Sequence, residues 1–203
     1  MSVRPARPRA IAERPARSGD VRGLVLGLLG LAVVVVLASL LLRPAPAEEP
    51  PVVPQSAVVE GELPERVGEW RGQQLEQAAI VVQAGRDLGM SDRDVRIAVM
   101  TAMGESSLRV LDRGDRVGPD SRGLFQQRDS WGAYEVRMDA YASSVLFYRA
   151  LARIDGRDDL APTRVAHAVQ INRDPDHYAR WWEDANAVVD ALEASDHDVV
   201  RTA

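Results

Sequence analysis

Hydrophobic and polar positions divide the chain into three regimes. From Gly23 to Leu42 run 20 uncharged residues rich in Leu and Val. As a helix rising about 1.5 Å per residue, that run is about 30 Å long, the thickness of a bilayer's hydrocarbon core. Residues 43–68 lack a clear period and carry Pro44, Pro46, Pro50, Pro51, Pro54 and Pro64. Such a composition predicts an extended, semi-rigid linker. From about residue 69 the pattern turns helical and stays so to about residue 195.

Within that third regime, Leu75, Ala78, Ala79, Val82 and Arg86 mark one face of a first helix that Gly89 ends. Ser91 reads as the N-cap of a second, with Asp94 three residues on as its capping partner. Val95, Ala98, Val99, Ala102 and Met103 form that helix's buried stripe. The stretch from Asp112 to Trp131 is rich in Gly, Asp, Arg and Ser and has neither helical nor strand period. It predicts a long working loop, with room for a short turn or hairpin within 112–128. Asp139 caps a third helix through Tyr141, Val145, Tyr148 and Ala152, and Pro162 opens a fourth through Val169. Asp174-Pro175 opens a last helix through Trp181, Trp182 and Val189. The predicted fold class is all-α, and residues 196–203 read as a tail.

Charge sharpens this division. Residues 1–22 carry six arginines against Glu13 and Asp20, a net of +4; with −5 over the whole chain, the remainder holds −9. Arginines before the apolar run and Glu48-Glu49 after it predict a single membrane-spanning helix at 23–42, with the basic tail 1–22 cytoplasmic and the rest outside. The run exceeds the ~7–15 apolar residues of a cleaved signal segment, so a retained anchor is expected although Ala45-Pro46-Ala47 looks like a cleavage site. The acidic outer domain lacks the basic face that nucleic acid requires. The absence of Cys excludes disulfides, thiolate metal sites and cysteine nucleophiles. His167, His177 and His197 do not form a zinc helix, Ser106 and Ser107 do not sit in Gly-x-Ser-x-Gly, and the loop lacks the oxygen ligands of a calcium loop. No metal or other cofactor is expected.

Glu105 is the candidate for chemistry. Seven residues after Ala98, it lies on the edge of the apolar stripe and near the helix's C-terminal end. Burial and the helix dipole both disfavour the carboxylate there, which favours the neutral acid that can protonate a leaving oxygen. Asp112, Asp115, Asp120 and Asp129 could supply a second carboxylate, as two-carboxylate glycosidases require, although each reads more simply as a turn residue.

Two segments carry a resemblance. Ala102-Met103-Gly104-Glu105-Ser106-Ser107-Leu108 is followed, across the polar loop, by Ser121-Arg122-Gly123-Leu124-Phe125-Gln126-Gln127-Arg128. Together they resemble the Glu-Ser and Gly-Leu-x-Gln motifs of the soluble lytic transglycosylases of the lysozyme-like superfamily. The likeness is nearest to an actinobacterial group of cell-wall proteins and covers roughly residues 73–193. It implies a lysozyme-like domain, peptidoglycan glycan strands as substrate, and Glu105 as the one catalytic acid and base between N-acetylmuramic acid and N-acetylglucosamine. It further implies substrate contacts from Gly123, Phe125, Gln126 and Gln127, and from Ser106, which contacts substrate or orients the Glu. Trp131 beside the loop is the best candidate for stacking on a sugar. Two departures stand out. The family's Ala-Tyr-Asn motif, whose Tyr supports the acid, is matched here only by Ala168-Val169-Gln170-Ile171-Asn172, with Tyr178 a loose substitute at a neighbouring cleft position; Gly104 stands where the related group often has Gln. The expectation is a membrane-tethered, monomeric transglycosylase. The alternatives are a binding or scaffold module that kept the fold without turnover, and a hydrolytic muramidase.

Overall fold

The computed structural model describes residues 49–202. The basic tail, the membrane helix expected at 23–42 and the first part of the linker lie outside these residues. No helix among the described residues is long and apolar enough to cross a membrane. Residues Pro50–Ala203 form one compact unit.

The unit is mostly helical. Helix α1 (Gln73–Asp87) and helix α2 (Asp92–Ser106) form its centre. Sequence reading gave α1 a single apolar face, yet nine of its residues, from Leu75 to Gly85, are buried. Ala and Gly at 78, 79, 84 and 85 explain how: small side chains let neighbours approach on several sides. A Cβ on Gly85 would lie 2.7 Å from the Tyr148 hydroxyl, which donates to the Val81 carbonyl at 3.0 Å. The Ser91 cap forms as predicted, accepting from the Asp94 amide. The Asp94 carboxylate, also buried, takes the Arg157 guanidinium at 3.2 Å.

Helix α3 (Tyr134–Met138) is a single short turn that periodicity did not predict, its Val136 and Arg137 buried. Helix α4 (Ala140–Ala152) starts at the expected Asp139 cap, and helix α5 (Pro162–Gln170) at the expected Pro162. The last helix, α6 (Trp182–Glu193), begins later than the Asp174-Pro175 start read from sequence. A 3₁₀ turn, Ala179–Trp181, precedes it and turns Tyr178 into the core. Helices α1 and α2 pack on each other and both pack on α4 and α6, while α5 packs on α2 and α4.

The all-α reading and the linker and tail boundaries need correction. Strand β1 (Ser56–Gly61) falls inside the segment read as linker, and β4 (His197–Thr202) falls inside the tail. They pair antiparallel, Ser56 with Thr202 through Gly61 with His197. Ala57, Val59 and Val199 pack against the helical core. The prolines dominated the linker's composition and hid this short period-2 pattern. A smaller ladder joins β2 (Arg66–Val67) to β3 (Trp70–Arg71), ahead of α1. The hairpin expected in the loop is present at its minimum: Arg122 and Gln127 exchange both backbone hydrogen bonds.

Candidate active site

Helix α2 ends in an unusual turn that fixes where Glu105 points. The Ser107 amide donates to the Met103 carbonyl, as in an αL closure built without glycine, and the Leu108 amide reaches back to the Ala102 carbonyl. Ser107 and Leu108 both have positive φ, 54° and 55°. Among the described residues two other non-glycine positions do, Gln126 (46°) and Ile171 (53°). Each such residue costs about 1–2 kcal/mol and persists only where the surroundings hold it. All four border one cleft or the helix end that feeds it.

That cleft, about 340 Å³, is lined by Glu105, Asp115, Val117, Gly118, Ser121, Gln126, Arg128, Gln170, Ile171 and Asn172. The long loop supplies one wall and the end of α5 the other. Arg137, almost wholly buried, pins the loop from beneath. Its guanidinium donates to the Asp120, Gln127 and Gly132 carbonyls at 2.8–3.1 Å and pairs with Asp129 at 2.6 Å. Asp120 pairs with Arg128 and accepts from the Asp129 amide, while Asp112 pairs with Arg122 at 3.0 Å. Three of the four loop aspartates are therefore loop braces. The fourth, Asp115, lines the cleft. One of its oxygens accepts from the Val117 and Gly118 amides, at 2.8 and 2.6 Å, which holds its pKa below the usual carboxylate value.

Glu105 lies at the cleft floor with its pKa pushed up to about 7. Burial is the largest cause, the Asp115 charge adds to it, and a hydrogen bond from Tyr178 opposes both. The Tyr178 hydroxyl donates to Glu105 Oε1. Tyr178 is fully buried, and its own pKa is raised well above a phenol's, first by burial and then by the Glu105 charge. Residues 168–172 contain no tyrosine, and the phenol that donates to Glu105 is that of Tyr178. Gly104 permits the contact: a Cβ there would meet the Tyr178 ring at 2.7 Å and Trp181 at 3.0 Å. The glycine that departs from the motif is thus the space Tyr178 needs.

Behind the tyrosine stands Asn172. Its amide nitrogen is buried and has no partner in hydrogen-bond geometry, although its interaction with the Tyr178 oxygen makes the phenol more acidic. The Asn172 Oδ1 lies 2.9 Å from His167 Nδ1, where the amide oxygen accepts from an Nδ1–H.

The other residues expected at the site divide. Gln126 lines the cleft, and its side chain donates to the Gly123 carbonyl at 3.2 Å. Ser106 does not line it: the buried hydroxyl donates to the Leu124 carbonyl at 2.7 Å, lies 3.1 Å from the Ala102 carbonyl as the alternative acceptor, and accepts from the Arg109 amide, sewing α2 to the loop. Gly123 is buried where a Cβ would lie 1.9 Å from the Arg137 carbonyl. Phe125 is buried and stacks on Phe147 at 4.5 Å. Gln127 is buried and donates to the Ser143 carbonyl at 2.9 Å. Trp131 packs half-buried against the core and is not part of the cleft lining. The second motif thus supplies one cleft wall through Ser121, Gln126 and Arg128, while its Gly123, Phe125 and Gln127 are buried structural residues. Gln170, Asn172 and Arg137 were missed because their signal is tertiary: each acts on residues brought near by folding.

Among the described residues no group of three or more His, Cys, Asp or Glu side chains could hold a metal ion. No protein-family model matches the chain, and no curated protein matches it.

Proposed function

We propose that this protein is a lysozyme-like enzyme that cleaves the glycosidic bond between N-acetylmuramic acid and N-acetylglucosamine as a membrane-tethered lytic transglycosylase. The single observation that carries the reading is a half-buried Glu105, its pKa raised to about 7, held by a tyrosine in an open cleft. The paired motifs and the helical fold around them support it.

The chemistry follows from the geometry. Tyr178 occupies Oε1, so Oε2 is the oxygen left to carry the proton into the cleft. A carboxyl with pKa near 7 carries that proton in about half of the molecules at neutral pH, which is close to the optimum for general acid catalysis. It protonates the glycosidic oxygen as the bond to C1 breaks. The resulting carboxylate, stabilised by the Tyr178 hydroxyl, then takes the proton from the muramic 6-hydroxyl as that oxygen attacks C1. A 1,6-anhydro end forms and no water is consumed. Gln126 and Gln170 offer amides to the sugar acetamides, although Gln170 also donates to the Phe125 carbonyl at 2.9 Å.

The test is release of soluble fragments from purified peptidoglycan by the wild type, Glu105→Gln and Asp115→Asn. The one-acid reading expects Glu105→Gln to lose about 10²–10⁴-fold in rate, while Asp115→Asn stays within about tenfold. Equal collapse of both variants would establish a two-carboxylate hydrolase instead. Asp115 gives that second reading its footing, since it lines the same cleft and its charge acts on Glu105.

A further inference from the structure

Eight large hydrophobic side chains are exposed among the described residues, and the two most exposed border the same cleft: Ile171 at 83% and Val117 at 70%. They belong to segments far apart in sequence, one at the end of α5 and one in the loop. Neither belongs to the hydrophobic core or to the side chains packed against it. Ile171 is also β-branched and in left-handed backbone, a combination that side-chain sterics oppose. At this helix end glycine or asparagine would be the easier residue. An exposed isoleucine therefore stands where it gains nothing from packing and loses backbone stability.

Both positions are held rigid from behind. The Val117 amide donates to Asp115 at 2.8 Å. The Ile171 amide donates to the His167 carbonyl at 2.7 Å, and its neighbours Gln170 and Asn172 are tied to Phe125 and His167. The remaining lining is polar or glycine, and none of the lining residues is aromatic.

We infer that Val117 and Ile171 are two aliphatic lips that grip the apolar C–H face and acetamide methyl of an N-acetylated sugar over the polar floor. This rests on the reading of the cleft as a glycan site. A pyranose ring carries hydroxyls on its rim and carbon-bound hydrogens on its faces, so it needs both kinds of surface at once. In most sugar sites an aromatic ring covers that face; here preorganised branched aliphatics do so, and Trp131 is left to the core.

The test uses the full chain in mild detergent, carrying Glu105→Gln so that nothing is cleaved. The probe is an oligosaccharide of alternating N-acetylglucosamine and N-acetylmuramic acid, and calorimetry gives Kd. Added Ile171→Asn or Val117→Thr is expected to weaken binding about tenfold each. Leu160→Asn, an exposed apolar position elsewhere, should leave Kd unchanged. Ile171→Asn should at the same time raise Tm, because asparagine tolerates left-handed backbone. Weaker binding by a more stable protein is an outcome that general damage to the fold does not produce. Binding by the parent with Kd within twofold in both lip variants overturns this proposal and leaves the glycan reading standing. No binding by the parent overturns both.

Discussion

The Glu105 carboxyl is subject to burial, to the Asp115 charge and to the Tyr178 hydroxyl, and burial is the largest of the three. Removing the hydroxyl therefore has a definite sign. Tyr178→Phe should move the Glu105 pKa above about 7, shift the alkaline limb of the rate–pH profile upward and lower kcat about tenfold or more, because the product carboxylate loses its donor. A pH–rate profile of the two proteins checks it. Stability follows the same carboxyl. Its folded pKa, about 7, lies above the unfolded value of 4.5, so its proton stabilises the fold fully below pH 4.5, and that contribution is lost as pH rises through 7. Glu105→Gln should accordingly gain in Tm relative to wild type between pH 4.5 and pH 8, measured by thermal scans at both. At this scale the sequence pointed to Glu105, because its place on the helix edge is local. It placed Tyr178 only loosely near the cleft, and showed neither that this hydroxyl, 73 residues away, donates to Glu105 nor that Gly104 is the clearance for its ring.

At the level of elements, period-3.6 patterns and caps placed α1, α2, α4 and α5 well, since Ser91, Asp139 and Pro162 act within a turn of themselves. The start of α6 was misread because Tyr178 is drawn into the core at 0% exposure, and the turn that accomplishes this replaces the expected helix. The β1–β4 ribbon was invisible for another reason: each strand is short, and Ser56 pairs with Thr202 across nearly the whole unit. Arg201 fastens the ribbon, donating to the Tyr141 hydroxyl at 2.8 Å and pairing with Asp87 at 3.3 Å, while Tyr141 itself donates to Asp87 at 2.7 Å. Truncation after Ser195 strips β1 of its partner and leaves Tyr141 and Asp87 without the arginine. It should cost about 1–3 kcal/mol, read as a fall in the denaturation midpoint. Gly104→Ala is the matching test for the packing of α2 against the 3₁₀ turn. Its Cβ displaces Tyr178, so both activity and stability should fall, the latter by about 1–3 kcal/mol in the same denaturation assay.

For the whole molecule, strain and support are distributed unequally. The helical core holds its side chains by burial, while the cleft is built from left-handed residues, a loop pinned by Arg137 and one carboxyl whose pKa is raised. Such a division suits an enzyme, in which a stable scaffold maintains a locally costly site. The central claim is that Glu105 alone breaks the glycosidic bond without adding water. Mass spectrometry of fragments released from peptidoglycan by the wild type, beside Glu105→Gln, tests it most directly. The account predicts muropeptides with 1,6-anhydro ends, one water lighter than reducing ends, from the wild type only. Reducing ends from the wild type, or no fragments from either protein, would contradict it.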